Sequence, residues 1–164
     1  MRVPMTTTEI SSSSLSTAII RDLFRDGLRA AIATGDISDP SSARRNGAAP
    51  MVLTEFPDQG LLYPHIIVSE ASDVGGRPDS RADLWQHTYA VGIEIHAKSS
   101  TQMFRIRDEV RAWVERNVDT LNTAGFTDPQ ISPGIPMTWD QGEEIRRWKF
   151  IVKGTVYTTP GGED

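Results

Sequence analysis

Trp85-Gln86-His87-Thr88-Tyr89-Ala90-Val91-Gly92-Ile93-Glu94-Ile95-His96 lies near the start of a stretch, Asp83 to Leu121, in which a long strand passes directly into an amphipathic helix. Its odd positions are mostly large and apolar, and its even positions are polar or small. Side chains of a strand alternate between its two faces, so this pattern gives one apolar face and one that water can reach. From Ser99-Ser100-Thr101 the period becomes helical. Met103, Ile106, Val110, Trp113, Val114 and Leu121 recur on one side, while Arg105, Asp108, Glu109, Arg111, Glu115 and Arg116 lie mostly elsewhere. Asp108–Arg111 and Arg111–Glu115 have the spacing of helical ion pairs, and Gly125 is a stop for this helix.

Upstream of this unit, Ala71 to Ala82, containing Gly75-Gly76-Arg77-Pro78-Asp79, reads as a polar connector. At that length it is a long loop of the kind that often carries function. Tyr63 to Ser69 is a β-branched-rich strand with Pro64 at its start, where a missing backbone donor is tolerated. Met51 to Phe56 is a further candidate strand, closed by Pro57-Asp58-Gln59-Gly60, and Gly35 to Pro50 is a loop holding Arg44-Arg45. Ser14 to Ala33 is helical in period. Leu15, Ile19, Leu23 and, less closely, Leu28 and Ile32 recur on one side, with Ile20 and Phe24 adjoining. Ser14 or Ser16 can cap it, Gly35 can end it, and Gly27 weakens it by about 1 kcal/mol relative to Ala. Residues 1–13 are a low-complexity arm, too polar to offset the entropy of ordering.

Downstream, Asp128 to Gly142 reads as irregular, with a short strand possible near Ile135 to Trp139. Glu144 to Thr158 is a long strand with Trp148, Phe150, Val152 and Val156 on one face. Arg147, Lys149, Lys153 and Thr155 share the other, and Ile151 is an exception on it. Residues 159–164 are a tail. The order α, β, β, β, α, with a possible β and then β, implies an α+β fold. It would be a mainly antiparallel sheet of four to five strands with two amphipathic helices packed on it, as a single domain over residues 14–158.

The chain has 164 residues, a net charge of -5 and no cysteine. The length suits one domain with a real core. Dispersed charge with an acidic balance disfavours nucleic-acid binding as the main task, which wants a concentrated basic patch. The lack of cysteine excludes disulfide frameworks, thiolate metal sites and cysteine nucleophiles. No apolar run approaches the roughly 18 residues of a membrane helix, and the N-terminal stretch has no apolar core of a secretory signal. The expected place is the cytoplasm, or an assembly built there.

No motif for a cofactor, a metal or a catalytic residue emerges. Hydrolase-elbow and phosphate-loop patterns are missing, and Gly75-Gly76-Arg77 precedes no helix that could help hold a phosphate. His87 and His96 point to opposite faces of one strand. Glu94 and His96 share a face and could hold an ion with a third partner, but a solvated face or subunit contact explains them more simply. Glu143-Glu144 diverge on a strand, whereas acid–base catalysis needs converging groups. Arg44-Arg45 and Arg146-Arg147 could meet phosphates or acidic partner surfaces, although ordinary solvation suffices. Trp85, Trp113 and Trp148 read as core anchors. Trp139, in Pro136-Met137-Thr138-Trp139-Asp140, reads as an interface anchor.

The element order has a further bearing. A helix is followed by a strand ending in Tyr63-Pro64-His65-Ile66-Ile67-Val68. After a polar excursion comes the strand Tyr89-x-Val91-x-Ile93-x-Ile95-His96-Ala97-Lys98-Ser99. It leads into a helix carrying Ile106-Arg107-Asp108-Glu109-Val110, and Lys149 to Tyr157 closes the pattern. Over roughly residues 15–158 this resembles the tail terminator (tail completion) proteins of long-tailed viruses of bacteria and archaea. The resemblance implies a non-enzymatic virion neck protein. It would form a homo-oligomer, a hexameric ring that caps the tail tube, stops its polymerisation and docks to a head-side neck or connector protein, with DNA passing through the lumen. Arg44, Arg45, Arg77, Asp79, Arg81, Trp139 and Asp140, in loops and connectors, are the candidate interface residues. A head-closure or adaptor protein of the same neck, or a small α+β ligand-binding protein or enzyme with a pocket near His65 and His96, are the alternatives.

Overall fold

The computed structural model describes residues 17–45, 50–55, 62–79, 84–137 and 145–158. The arm at 1–13, the caps at Ser14 and Ser16, the tail at 159–164, and Arg81, Trp139 and Asp140 lie outside the described residues. The first half of the chain supplies α1 (Thr17–Thr34), α2 (Ser42–Arg45), β1 (Val52–Leu53), β2 (His65–Val68), β3 (Ser72–Asp79) and β4 (Leu84–Ala97). The second half supplies α3 (Ser100–Arg116), α4 (Val118–Thr123), β5 (Thr127–Ile131), β6 (Ile135–Pro136) and β7 (Arg146–Thr158).

The fold is α+β. Its sheet runs β1-β2-β4-β7-β5, with β3 on the other half of β4 and β6 on β7. Among the described residues seven strands stand where four to five were expected. All pairs are antiparallel except β1 with β2, which are parallel. The excess comes from places where pattern is weak. The polar connector from Ala71 is strand β3, which pairs with β4 from Asp79↔Leu84 to Ser72↔Ala90 and shifts register between Asp73 and Gly75. It is exposed over Ser72–Pro78, so no apolar alternation marks it. Long-range backbone pairing, invisible to local composition, makes it a strand. β5 is the second addition, β6 falls within the short strand expected near Ile135 to Trp139, and the strand expected over Met51 to Phe56 shortens to Val52–Leu53 among the described residues.

β4 and β7 pair residue for residue from Trp85↔Thr158 to Ala97↔Arg146. Facing residues in an antiparallel ladder share a sheet face. Val91, Ile93 and Ile95 therefore lie with Val152, Phe150 and Trp148, and this face carries the core. α1 and α3 cover it. Ile20, Phe24, Leu28 and Ala31 are the buried stripe of α1, whereas Ile19 is 48% exposed. The expected stripe through Ile19 and Leu23 is thus rotated by about one position, which helical spacing alone leaves open when apolar residues are adjacent. α3 starts as the sequence implies: the Ser99 hydroxyl accepts a hydrogen bond from the Gln102 backbone N–H at 3.1 Å. It ends earlier than expected, at Arg116, because the Asn117 amide side chain donates to the Trp113 carbonyl at 2.7 Å, and α4 continues from there to bury Leu121.

Two glycines let core rings approach the backbone closely. A Cβ on Gly27 of α1 would lie 2.4 Å from the Trp113 ring, and one on Gly154 of β7 would lie 2.4 Å from the Phe126 ring. Phe126 in turn meets Phe24 edge-on at 5.4 Å between ring centroids. Gly27 is therefore a packing residue, and its helix cost is the condition for seating Trp113. Gly27→Ala gains up to ~1 kcal/mol of helix propensity but overpacks the contact at about 1–3 kcal/mol. Denaturant unfolding is expected to show net destabilisation, largely relieved when Trp113→Leu is added.

Candidate interaction surfaces and a buried charged cluster

The sequence-derived interface residues do not come together. Arg44 is exposed, but its neighbour Arg45 is 7% exposed. The Arg45 Nε lies 2.6 Å from Asp39 Oδ2, and its guanidinium also donates to the Pro64 carbonyl. Arg45 is thus engaged inside its own chain, pinning the segment after α1 to the start of β2. Local sequence gave no sign of this, since Asp39 and Pro64 reach it only through the fold. Arg77 is exposed on β3 with its Nε 3.4 Å from Gln86 Oε1, and Asp79 closes that strand opposite Leu84.

Two exposed apolar patches stand at opposite ends of the β4–β7 ladder. At one end, Trp85 faces Pro78 of β3 and Thr158 of β7 and is 38% exposed, contrary to its expected place in the core. Val74, 53% exposed, lies in the bulge of β3 on the same half of the sheet. Beside it His87 Nδ1 lies 3.1 Å from Asp73 Oδ2.

At the other end, Phe104 of α3, 42% exposed, meets Trp148 edge-on at 6.3 Å on the helix-covered face, while Ile135 of β6, 62% exposed, pairs with Lys149 and lies on the opposite face of the sheet. The Arg107 guanidinium lies 4.8 Å from the Phe104 ring centre and 4.9 Å from that of Trp148, a cation–π stack that steadies both rings. An open groove of about 270 Å³ runs here between α3 and the β6–β7 pair, lined by Met103, Phe104, Pro136, Met137 and Trp148 among others. Arg111 does not make the helical pairs its spacing allows; it donates to the Ser132 and Pro133 carbonyls at 3.2 and 3.0 Å. It thereby fixes the β5–β6 turn that presents Ile135. Of these exposed side chains, the sequence marked Ile151, now 39% exposed, by its break in alternation. Phe104 and Ile135 had no such signal, because neither interrupts a clear pattern.

The polar interior centres on His65 and His96, each 1% exposed, with ring centroids 4.7 Å apart. They are partners across β2 and β4, and His96 is partnered on its other side by Arg147 of β7. His96 Nε2 lies 3.2 Å from Glu94 Oε1, and that contact with His96 is the main cause holding the Glu94 carboxyl below its usual range. Burial, reinforced by the neighbouring His96, pushes the His65 imidazole down to about 4. The larger concavity, about 430 Å³, is elsewhere. It lies between α1 and the α3–α4 junction, lined by Leu23, Gly27, Ala30, Trp113, Asn117 and Leu121 among others. Among the described residues, no three His, Cys, Asp or Glu side chains are grouped to hold a metal ion. No helix among the described residues is long and apolar enough to cross a membrane.

No protein-family model and no curated protein matches this chain. Solved structures are similar in part. A chain of a structure described as the virion of a native gene transfer agent (GTA) particle aligns over 79% of this chain and 94% of its own. The TM-score is 0.34 and the sequence identity 12%. At that level the likeness carries no argument.

The two adjacent arginines should respond differently to replacement. Arg45→Met leaves the Asp39 carboxylate, whose side chain is 5% exposed, without its cation. Removing one member of a buried pair costs about 3–5 kcal/mol, so chemical denaturation should show a large loss. Arg44→Ala should stay within roughly 0.5 kcal/mol of the unaltered protein.

Proposed function

We propose that this chain is a non-enzymatic structural subunit of a virion neck, acting as a tail terminator. In this reading copies form a hexameric ring that caps the tail tube, stops its growth and docks to a head-side connector, with DNA passing through the lumen. The supporting observation is the pair of separate apolar patches at the two ends of one rigid strand pair. A ring is built from heterologous contacts, in which one surface of a copy meets a different surface of the next. A chain that exposes two unlike patches is suited to that. Trp85 stands at one end of β4, and Trp148, beside Phe104, pairs with Ile95 near the other. At ~3.3 Å per strand residue the patches are roughly 30 Å apart. The element order that resembles the tail terminators supports the specific role over that of a head-closure protein.

The contact mode can be tested directly. Trp85→Glu and Phe104→Glu each charge one exposed patch and leave the fully buried core residues in place. The unaltered protein should assemble into rings, visible by electron microscopy of the protein alone or with its tail-tube protein. Each variant alone should be monomeric by mass photometry. A mixture of the two should give one-to-one dimers, because one intact patch remains on each. A strict monomer at high concentration that neither binds tail-tube protein nor limits tube length would overturn the reading. Rescue of neither variant by the other would reject these two patches as its contacts.

A further inference from the structure

β2 is short and is held to β4 through His65↔His96, Ile66↔Ile95, Ile67↔Glu94 and Val68↔Ile93. Its inner side chains, Ile66 and Val68, are core residues with 0% exposure. The seam therefore closes the core with few backbone bonds, whereas β4 and β7 share a ladder more than three times as long. At its first pair sit two stacked, buried imidazoles. Arg147 of β7 stands beside His96, and Lys149 stands opposite Glu94. On the other side, the Tyr63 ring lies 5.0 Å from His65, with the Lys98 ammonium 5.6 Å from that ring's centre. Arg45 approaches from α2 with Asp39 as its partner. Among the described residues, the carboxylates Asp39 and Glu94 of this neighbourhood are engaged by Arg45 and His96 respectively. A proton on His65 would add charge to a buried site already flanked by cations.

We propose that the His65–His96 stack is an acid-released latch on the seam between β2 and β4. At neutral pH the stacked pair fills the interior and the seam is closed. On acidification, charging His65 beside His96, Arg45 and Arg147 favours the open seam, where water solvates both rings, while the β4–β7 ladder stays paired. The sign follows from linkage. In the closed state His65 titrates at about 4, below the ~6.5 of a free imidazole. Closure is therefore fully favoured above pH ~6.5 and is lost progressively as pH falls towards 4.

The test is amide hydrogen exchange of the intact chain, corrected for intrinsic rates, at pH 7 and pH 4.5. With the two proton affinities above, the opening constant of the seam should rise roughly fifty-fold over that interval. Protection of the Ile67 and Ser69 amides, which face β4 (the Ser69 N–H donates to the Gly92 carbonyl), should fall accordingly, and protection of Val91 and Val152 should not. In the unaltered protein, proton NMR should show the His65 ring titrating at about 4, at the lower end of the range over which protection falls. His65→Phe keeps a buried ring and should keep protection at pH 4.5. Should that variant not fold, His96→Gln removes the second imidazole and should raise the His65 titration point and shrink the acid response. Equal loss across β2 and β7, no loss at pH 4.5, or an acid response unchanged by either variant would overturn the latch.

Discussion

The continuous antiparallel ladder between β4 and β7 is the constraint on which the other elements depend. Its one-to-one register, from Trp85↔Thr158 to Ala97↔Arg146, fixes which face of each strand is apolar and leaves no slack for a shift. A slip by one residue would turn Val91, Ile93 and Ile95 outward and bring Glu94 inward. β2 and β3 then attach to different halves of β4, and β5 and β6 to β7, so short strands inherit their positions from the long pair. The helices follow the same logic, since α1 and α3 bury their apolar stripes on the one face the ladder makes apolar.

The core rests on close contacts between aromatic rings and backbone. Gly27 lets Trp113 approach α1, Gly154 lets Phe126 lie on β7, and Phe24 meets both rings edge-on. Such packing is rigid, because interiors at this density forfeit dispersion energy when any ring moves. The polar interior at His65 and His96 differs in kind. It closes a short seam with groups whose charge can change, so rigidity and responsiveness occupy different parts of one sheet.

The architecture was legible where one face of an element is buried and the other is not. β4, β7 and α3 announced themselves by strict period, and the Ser99 cap fell where the change of period put it. β3 was illegible because it is an exposed edge with glycines, a proline and a bulge, features that guard an edge against unwanted pairing and also erase alternation. The surfaces were harder to read. Trp85 has the residue type and parity of a core anchor and is nevertheless exposed, because the position lies at the end of the ladder. Arg45 has the look of a solvated pair with Arg44, yet it is buried against Asp39.

By itself, the sequence determined the α+β class, the two long amphipathic strands, their parity and the start of the helix that follows, because each depends on local period. Only the tertiary structure decided which side chains meet. It brought His65 onto His96, Arg45 onto Asp39 and Trp113 onto Gly27, and it left Trp85 and Ile135 uncovered at opposite ends. Most of these outcomes depend on contacts between residues distant in the chain, and even Arg45 and Asp39, six residues apart, meet only because the fold turns the segment between them inward. The long stretch from Asp83 is thus the scaffold, and the properties of the surface arise where the scaffold ends.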